Sequence, residues 1–148
     1  NIRPTSRGEI SISSSDTKVN PKIKMNYLST DEDRKVAADG IKLIRKIVME
    51  TNEFKKYEPE EFRPGSHLND KEEIVKACSH YAQTIFHPVG TCKMGNDESA
   101  VVSDKLKVHG INKLRVIDAS IMPNITSGNT NAPTIMIAEK GADMILSP

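Results

Sequence analysis

Apolar residues recur along this chain with two different periods, and each change of period marks an element. In Gly8-Glu9-Ile10-Ser11-Ile12-Ser13 they alternate with polar ones, which predicts a half-buried strand. Asp16 to Pro21 is turn-rich, and Lys22-Ile23-Lys24-Met25 reads as a short extended piece. From Ser29 the period becomes helical. Val36, Ala37, Ile41, Ile44, Ile47 and Val48 form one stripe, with Lys42, Arg45 and Lys46 off it, and Ser29 with Glu32 fits a capping box. The spacing predicts an amphipathic helix over 31–50. Lys55 to Asn69 is charged and proline-bearing, as a solvated surface loop would be. Asp70 to Thr84 reads as a second helix, with Ile74, Ala77, Cys78, Tyr81 and Ala82 on one face.

Beyond His87 the helical period stops, because Pro88 and Gly90 interrupt it. Gly95-Asn96-Asp97-Glu98 is a turn. Val101-Val102 and Leu106-Lys107-Val108 are strand candidates, Gly110 is a turn signal, and Leu114-Arg115-Val116-Ile117 reads as a buried strand. Thr130-Asn131-Ala132-Pro133 opens a last helix, with an amide cap and a proline in the first turn. Ile135, Ala138, Ala142 and Ile145 line one of its faces. Met136 and Ile137 widen that face, so the helix is expected to be buried on more than one side.

Composition narrows the partners. The chain has 148 residues, enough for one domain with a core, and a net charge of +1, which argues against a nucleic acid or an acidic membrane as partner. No apolar run approaches the length of a transmembrane helix. The first residues carry neither an initiator methionine nor an apolar signal core, and read as the interior of a longer chain. The compartment therefore stays open, a secreted parent included. Cys78 and Cys92 read as free, part-buried thiols, with a disulfide left open, and His67, His80, His87 and His109 lack zinc-like spacing with them, so no metal is expected.

One group of residues suits a particular chemistry. Removing hydride from an alcohol needs a base for the hydroxyl proton, a polar group to hold the oxygen, and stabilisation of the charge that reaches the acceptor. An imidazole serves the first need, an amide the second, and a helix N-terminus the third. His87, Asn129 and the helix opening near Asn131 supply one of each. Each also has a plainer reading. His87 can be structural, Asn129 and Asn131 can be turn residues, and Asp118 can be a turn acid or cap.

The segments His87-Pro88-Val89-Gly90-Thr91-Cys92-Lys93-Met94-Gly95 and Leu106-Lys107-Val108-His109-Gly110 continuing through Asp143, with Arg3-Pro4-Thr5-Ser6-Arg7-Gly8 and Asn26-Tyr27-Leu28, resemble the C-terminal part of a glucose–methanol–choline (GMC) oxidoreductase. The likeness is strongest to the glucose dehydrogenase and choline dehydrogenase branch, and weakest across residues 50–80. It implies an FAD enzyme that oxidises a primary or secondary alcohol, with hydride passing to flavin N5. The family's catalytic histidine falls on His87, and its second active-site position on Asn129. Its FAD-contacting backbone falls on Asp118 and Ala119, and the loop at the flavin pyrimidine edge on Thr130 and Asn131. The sequence departs from the family at Val101-Val102-Ser103-Asp104, where a turn proline is missing, and no Gly-x-Gly-x-x-Gly occurs.

The expected fold is therefore α+β. About 1–95 would be a substrate-cap part and about 96–148 a segment returning to an FAD-binding α/β domain, whose N-terminal portion lies outside this sequence. The electron acceptor, a quinone or oxygen, and the identity of the alcohol stay open. By itself the chain is expected to be inactive. Two rivals are a hydroxynitrile-lyase-like FAD protein of the same fold and a non-catalytic fragment.

Overall fold

The structure, a computed structural model, describes residues 1–147. The chain divides into two compact units, one of Asn1 with Arg3–Gln83 and one of Ile2 with Thr84 onward.

The first unit opens with an antiparallel hairpin of β1 (Glu9–Ser11) and β2 (Lys22–Lys24), with Ile10 opposite Ile23. The alternation correctly marks a strand, but not its burial: all six residues are exposed. Among the described residues no other element packs on the hairpin, which leaves its apolar positions uncovered.

Helix α1 (Asp31–Glu50) forms over the span its periodicity predicts. Its cap is Thr30 rather than Ser29: the Thr30 hydroxyl accepts from the Asp33 N–H at 3.3 Å, while the Ser29 N–H is held by the Ser6 hydroxyl at 3.0 Å. Asp31, Glu32 and Asp33 in the first turn complement the helix dipole. Asp33 is buried and ties down the N-terminal segment, accepting from the Thr5 N–H (2.9 Å), the Ser6 N–H (2.8 Å) and the Asn1 side-chain amide (2.8 Å). Burial pushes its carboxyl upward, but the bonds from Ser6 and Thr5 together outweigh burial and hold it below the usual range.

Short helix α2 (Asn52–Lys55) follows, and then α3 (Lys71–Tyr81), capped by Asp70, whose carboxylate accepts from the Glu72 N–H at 2.8 Å. The core of this unit is Ala38 of α1 with Ile74 and Val75 of α3, joined by Leu28, Ile41, Leu68 and Cys78. Most of the predicted α1 stripe stays outside it, with Val36, Ile44 and Ile47 exposed. Twenty residues of α1 face only eleven of α3, which at helical rise is about 30 Å against about 16 Å. Helix α3 ends at Tyr81, not Thr84, and Ala82 is extended.

The segment read as a solvated loop is largely exposed, and it is clamped from within. Arg45 donates to both Glu61 oxygens at 2.8 Å and to the carbonyls of Leu68 (2.7 Å) and Gly65 (2.9 Å). Glu61 also accepts from the Gly65 N–H at 3.1 Å.

In the second unit the predicted strands reduce to isolated bridges, Met94 with Val102, Val102 with Val108, and Lys107 with Arg115. Leu106 and Lys113 have φ of 60° and 62°, in the left-handed region, so the backbone cannot stay extended long enough to build a ladder. Leu114, expected to be buried, is exposed. The core here is Val102, Leu106, Ile121, Met122 and Ile137, with Val116, Ile117 and Met144 packed against it.

Helix α4 (Asn131–Leu146) closes this unit. It buries Ile137 and Gly141, with Met144 against the core; the expected face of Ile135, Ala138, Ala142 and Ile145 is exposed. It is thus buried on one side, not several. Gly141 sets that orientation. A Cβ there would lie 2.5 Å from Ile117 Cγ2, so only glycine lets the 115–117 segment approach the helix. Both cysteines are free and half-buried, and burial pushes the Cys78 thiol up. No helix among the described residues is long and apolar enough to cross a membrane.

Candidate functional site

All six candidate residues belong to the second unit. His87 follows Phe86, which holds φ at 63°, and precedes Pro88, so the chain turns sharply on either side of the imidazole. Gly90 continues the bend at φ 90°, where an added Cβ would meet the Met122 carbonyl at 3.3 Å. The segment then laces onto the short 3-10 turn Ala119–Ile121. The Cys92 N–H donates to the Ser120 carbonyl at 3.0 Å, and the Met94 N–H to the Ile121 carbonyl at 2.8 Å.

Asp118 caps that turn, and its Oδ1 accepts from the Ser120 N–H at 2.7 Å and from the Ser120 hydroxyl. The cap reading of Asp118 therefore describes its side chain. The bonds from Cys92 and Met94 bring the Asp118–Ala119 turn against the loop that carries His87.

The direct link runs from His87 to Thr130. His87 Nδ1 lies 3.0 Å from Thr130 Oγ1, and the Thr130 N–H points at the same nitrogen at 3.4 Å. Thr130 is buried, with φ −89° and ψ −2°, in the bridge region where active-site residues often sit. It occupies the N-cap of α4, but its hydroxyl does not cap the helix, being turned on the histidine. The amide cap expected from the sequence is not made: the N-cap residue is Thr130, and its side chain makes no cap bond.

This leaves donors at the helix mouth. The first intrahelical bond runs from the Thr134 N–H to the Thr130 carbonyl at 3.0 Å, so the N–H groups of Asn131 and Ala132 precede it, and Pro133 has none. Asn129 and Asn131 flank Thr130 and are exposed. An uncapped helix N-terminus with two exposed amides beside it suits an electron-rich ring edge. The half-buried His87 is held beside them.

Sequence reading names these positions but misses the bond that joins His87 to Thr130. From sequence Thr130 is a helix start and, by the resemblance, part of the cofactor loop. A spacing of 43 residues between His87 and Thr130 carries no periodic signal.

The family model described as GMC oxidoreductase matches residues 4–138. The oxygen-dependent choline dehydrogenase of Proteus mirabilis is 49% identical over 144 residues, 97% of this chain and 26% of that protein. An alcohol dehydrogenase [acceptor] of Pseudomonas putida is 46% identical over 145 residues, 98% of this chain and 26% of that protein. Among solved structures, pyridoxine 4-oxidase from Mesorbium loti superposes with a TM-score of 0.91 at 34% identity, covering 99% of this chain and 28% of its own. The chain spans about a quarter of the length of the curated relatives it matches.

Proposed function

We propose, from the premise that this chain belongs to the GMC oxidoreductase family, that it forms the C-terminal quarter of an FAD-dependent enzyme oxidising the CH–OH group of an alcohol. Bound FAD would supply the hydride acceptor. The proton transfer and the placing of the substrate oxygen fall to residues of this chain. The observation that carries the reading is the His87–Thr130 bond, which anchors the imidazole at the mouth of α4.

In this reading His87 takes the hydroxyl proton, and imidazole is the side chain whose ordinary pKa, about 6.5, suits that task near neutral pH. Asn129 holds the substrate oxygen through its amide, which donates without titrating. The backbone of Asp118 and Ala119 and the opening of α4 at Thr130 and Asn131 would hold the cofactor, whose anionic edge the α4 donors would suit. Residues of about 1–95 serve as the substrate-cap part, and about 96–148 return to the FAD-binding domain. The exposed apolar faces of α1 (Leu43, Ile44, Ile47) and α4 (Ile135, Met136, Ile145) support such a placement, since they are surfaces for the rest of the protein to cover. The choline and alcohol dehydrogenases among the relatives favour a small alcohol as substrate, with oxygen or a quinone to reoxidise the flavin.

The test is stopped-flow reduction of the flavin in the full-length protein. His87→Ala should slow reduction by roughly 10²–10⁴-fold, the usual contribution of a positioned acid–base group, with FAD content unchanged. Reduction at the parent rate would make His87 structural. If no alcohol bleaches the parent flavin, the redox reading falls and a lyase of the same fold takes its place.

A further inference from the structure

We propose that Thr130 is a positioning residue that fixes which nitrogen of His87 carries the proton, by accepting the Nδ1–H on its hydroxyl so that Nε2 keeps a free lone pair. The inference rests on the base role given to His87 above, and assigns to Thr130 a task beyond cofactor contact.

A neutral imidazole carries its proton on one nitrogen and a lone pair on the other. To take a hydroxyl proton at Nε2, His87 must hold its own proton at Nδ1, and that proton needs an acceptor. Among the described residues the groups that reach Nδ1 are the Thr130 hydroxyl at 3.0 Å and the Thr130 N–H at 3.4 Å. The amide can only donate, which favours the opposite tautomer. At 3.4 Å, however, it lies beyond the 2.7–3.2 Å range of firm N–H bonds, whereas the hydroxyl lies inside it. The hydroxyl, able to donate or to accept, is the one group among the described residues that can accept a proton held at Nδ1.

Three observations single out the hydroxyl. It is buried, so water does not replace it as an acceptor. It forgoes the N-cap role for which threonine is suited, since α4 has no side-chain cap. Its residue is held independently, because the Thr130 carbonyl accepts from both the Thr134 N–H at 3.0 Å and the Thr134 hydroxyl at 2.6 Å. Substitution of the side chain therefore leaves the backbone anchored. The hydroxyl also serves the product of the step. Once Nε2 has taken the proton the ring is a cation, and the Nδ1–H to Oγ1 bond becomes charge-assisted and stronger.

The experiment uses full-length protein with ¹⁵N-labelled histidine, His87→Gln assigning the signals. The nitrogen shifts of His87 report its tautomer directly, in flavin-loaded and flavin-free protein alike. Parent protein should show the proton on Nδ1. Thr130→Val, which keeps the shape and removes the hydroxyl, should shift the ring to the Nε2–H form favoured by the remaining amide, and slow flavin reduction about tenfold, the worth of one hydrogen bond in rate. Thr130→Ser should restore the Nδ1–H form and most of the rate. An Nε2–H ring in the parent, or an unchanged tautomer in Thr130→Val, overturns the inference. Either result leaves the base reading to be judged by His87→Ala, so the two failures are distinguishable.

Discussion

Arg45→Ala should open the segment from Glu61 to Asn69 without touching the candidate site. Arg45 and Glu61 have side chains only 17% and 12% exposed, and the guanidinium serves four acceptor positions, two on Glu61 and the carbonyls of Gly65 and Leu68. Removing one partner of such a buried pair costs about 3–5 kcal/mol, because the other charge is stranded. The remaining exposure puts the expectation near the lower end, so local opening should become roughly a hundredfold easier. Hydrogen exchange followed by mass spectrometry on full-length protein reads this as lost protection in peptides covering residues 61–69. Arg45→Lys should recover only part of it, since an ammonium cannot reproduce the planar fork. The pH dependence has a definite sign. The hydrogen bond from Arg45, opposed by burial and helped by the Gly65 N–H, holds the Glu61 carboxyl below its ordinary value. A carboxyl lowered in the folded state contributes stability that is present above the unfolded value, about 4.3, and is lost as pH falls through the folded value. Protection of this segment in the parent should therefore weaken on acidification below about pH 4, and Arg45→Ala should remove that weakening, because protonation then relieves the stranded carboxylate. Unchanged exchange in Arg45→Ala would refute the clamp.

Other outcomes follow from the second unit. Asn129→Ala should slow flavin reduction, while Asn129→His should keep part of the rate and add an ionisation near neutral pH to its profile, read by stopped flow across pH; an unchanged rate in Asn129→Ala would reduce Asn129 to a turn residue. Gly141→Ala should destabilise the protein by about 1–2 kcal/mol in denaturant unfolding, the overpacking against Ile117 exceeding the gain in helix propensity, and Ile117→Val in the same protein should recover part of the loss.

The helices were legible because their apolar period and end signals act over a few residues. Helix α1 covers the predicted span, and α3 begins where Asp70 offers its carboxylate to the next turn. What the pattern could not convey was which face finds a partner. The α1 stripe is longer than α3, and Val36, Ile44 and Ile47 on it are exposed, while the buried face of α4 is chosen by Gly141, a residue that periodicity counts as weak. Polar anchors were missed for the same reason. Asp33 looks like an ordinary first-turn acid and Arg45 like a surface cation, yet each gathers bonds from 16 to 32 residues away. Short apolar runs bearing valine and isoleucine read as strands because β-branched residues favour extended backbone, and positive φ at Leu106 and Lys113 cuts them into single bridges.

The site was legible in a different way. Histidine, asparagine and a proline-opened helix name a chemistry by residue type, whatever the distances between them. What type alone cannot give is the protonation state that makes a histidine useful. That depends on the atom facing its second nitrogen, and here that atom lies 43 positions along the chain, on a threonine read as a helix start and cofactor contact. The same bond explains why α4 begins without a side-chain cap. A hydroxyl spent on the cap would leave Nδ1 facing only an amide donor, the tautomer that cannot act as a base at Nε2. Leaving the cap unmade costs the helix about 1 kcal/mol. In exchange, the donors of its first turn stay open and the imidazole is held in one orientation, so a single threonine serves both halves of the proposed chemistry.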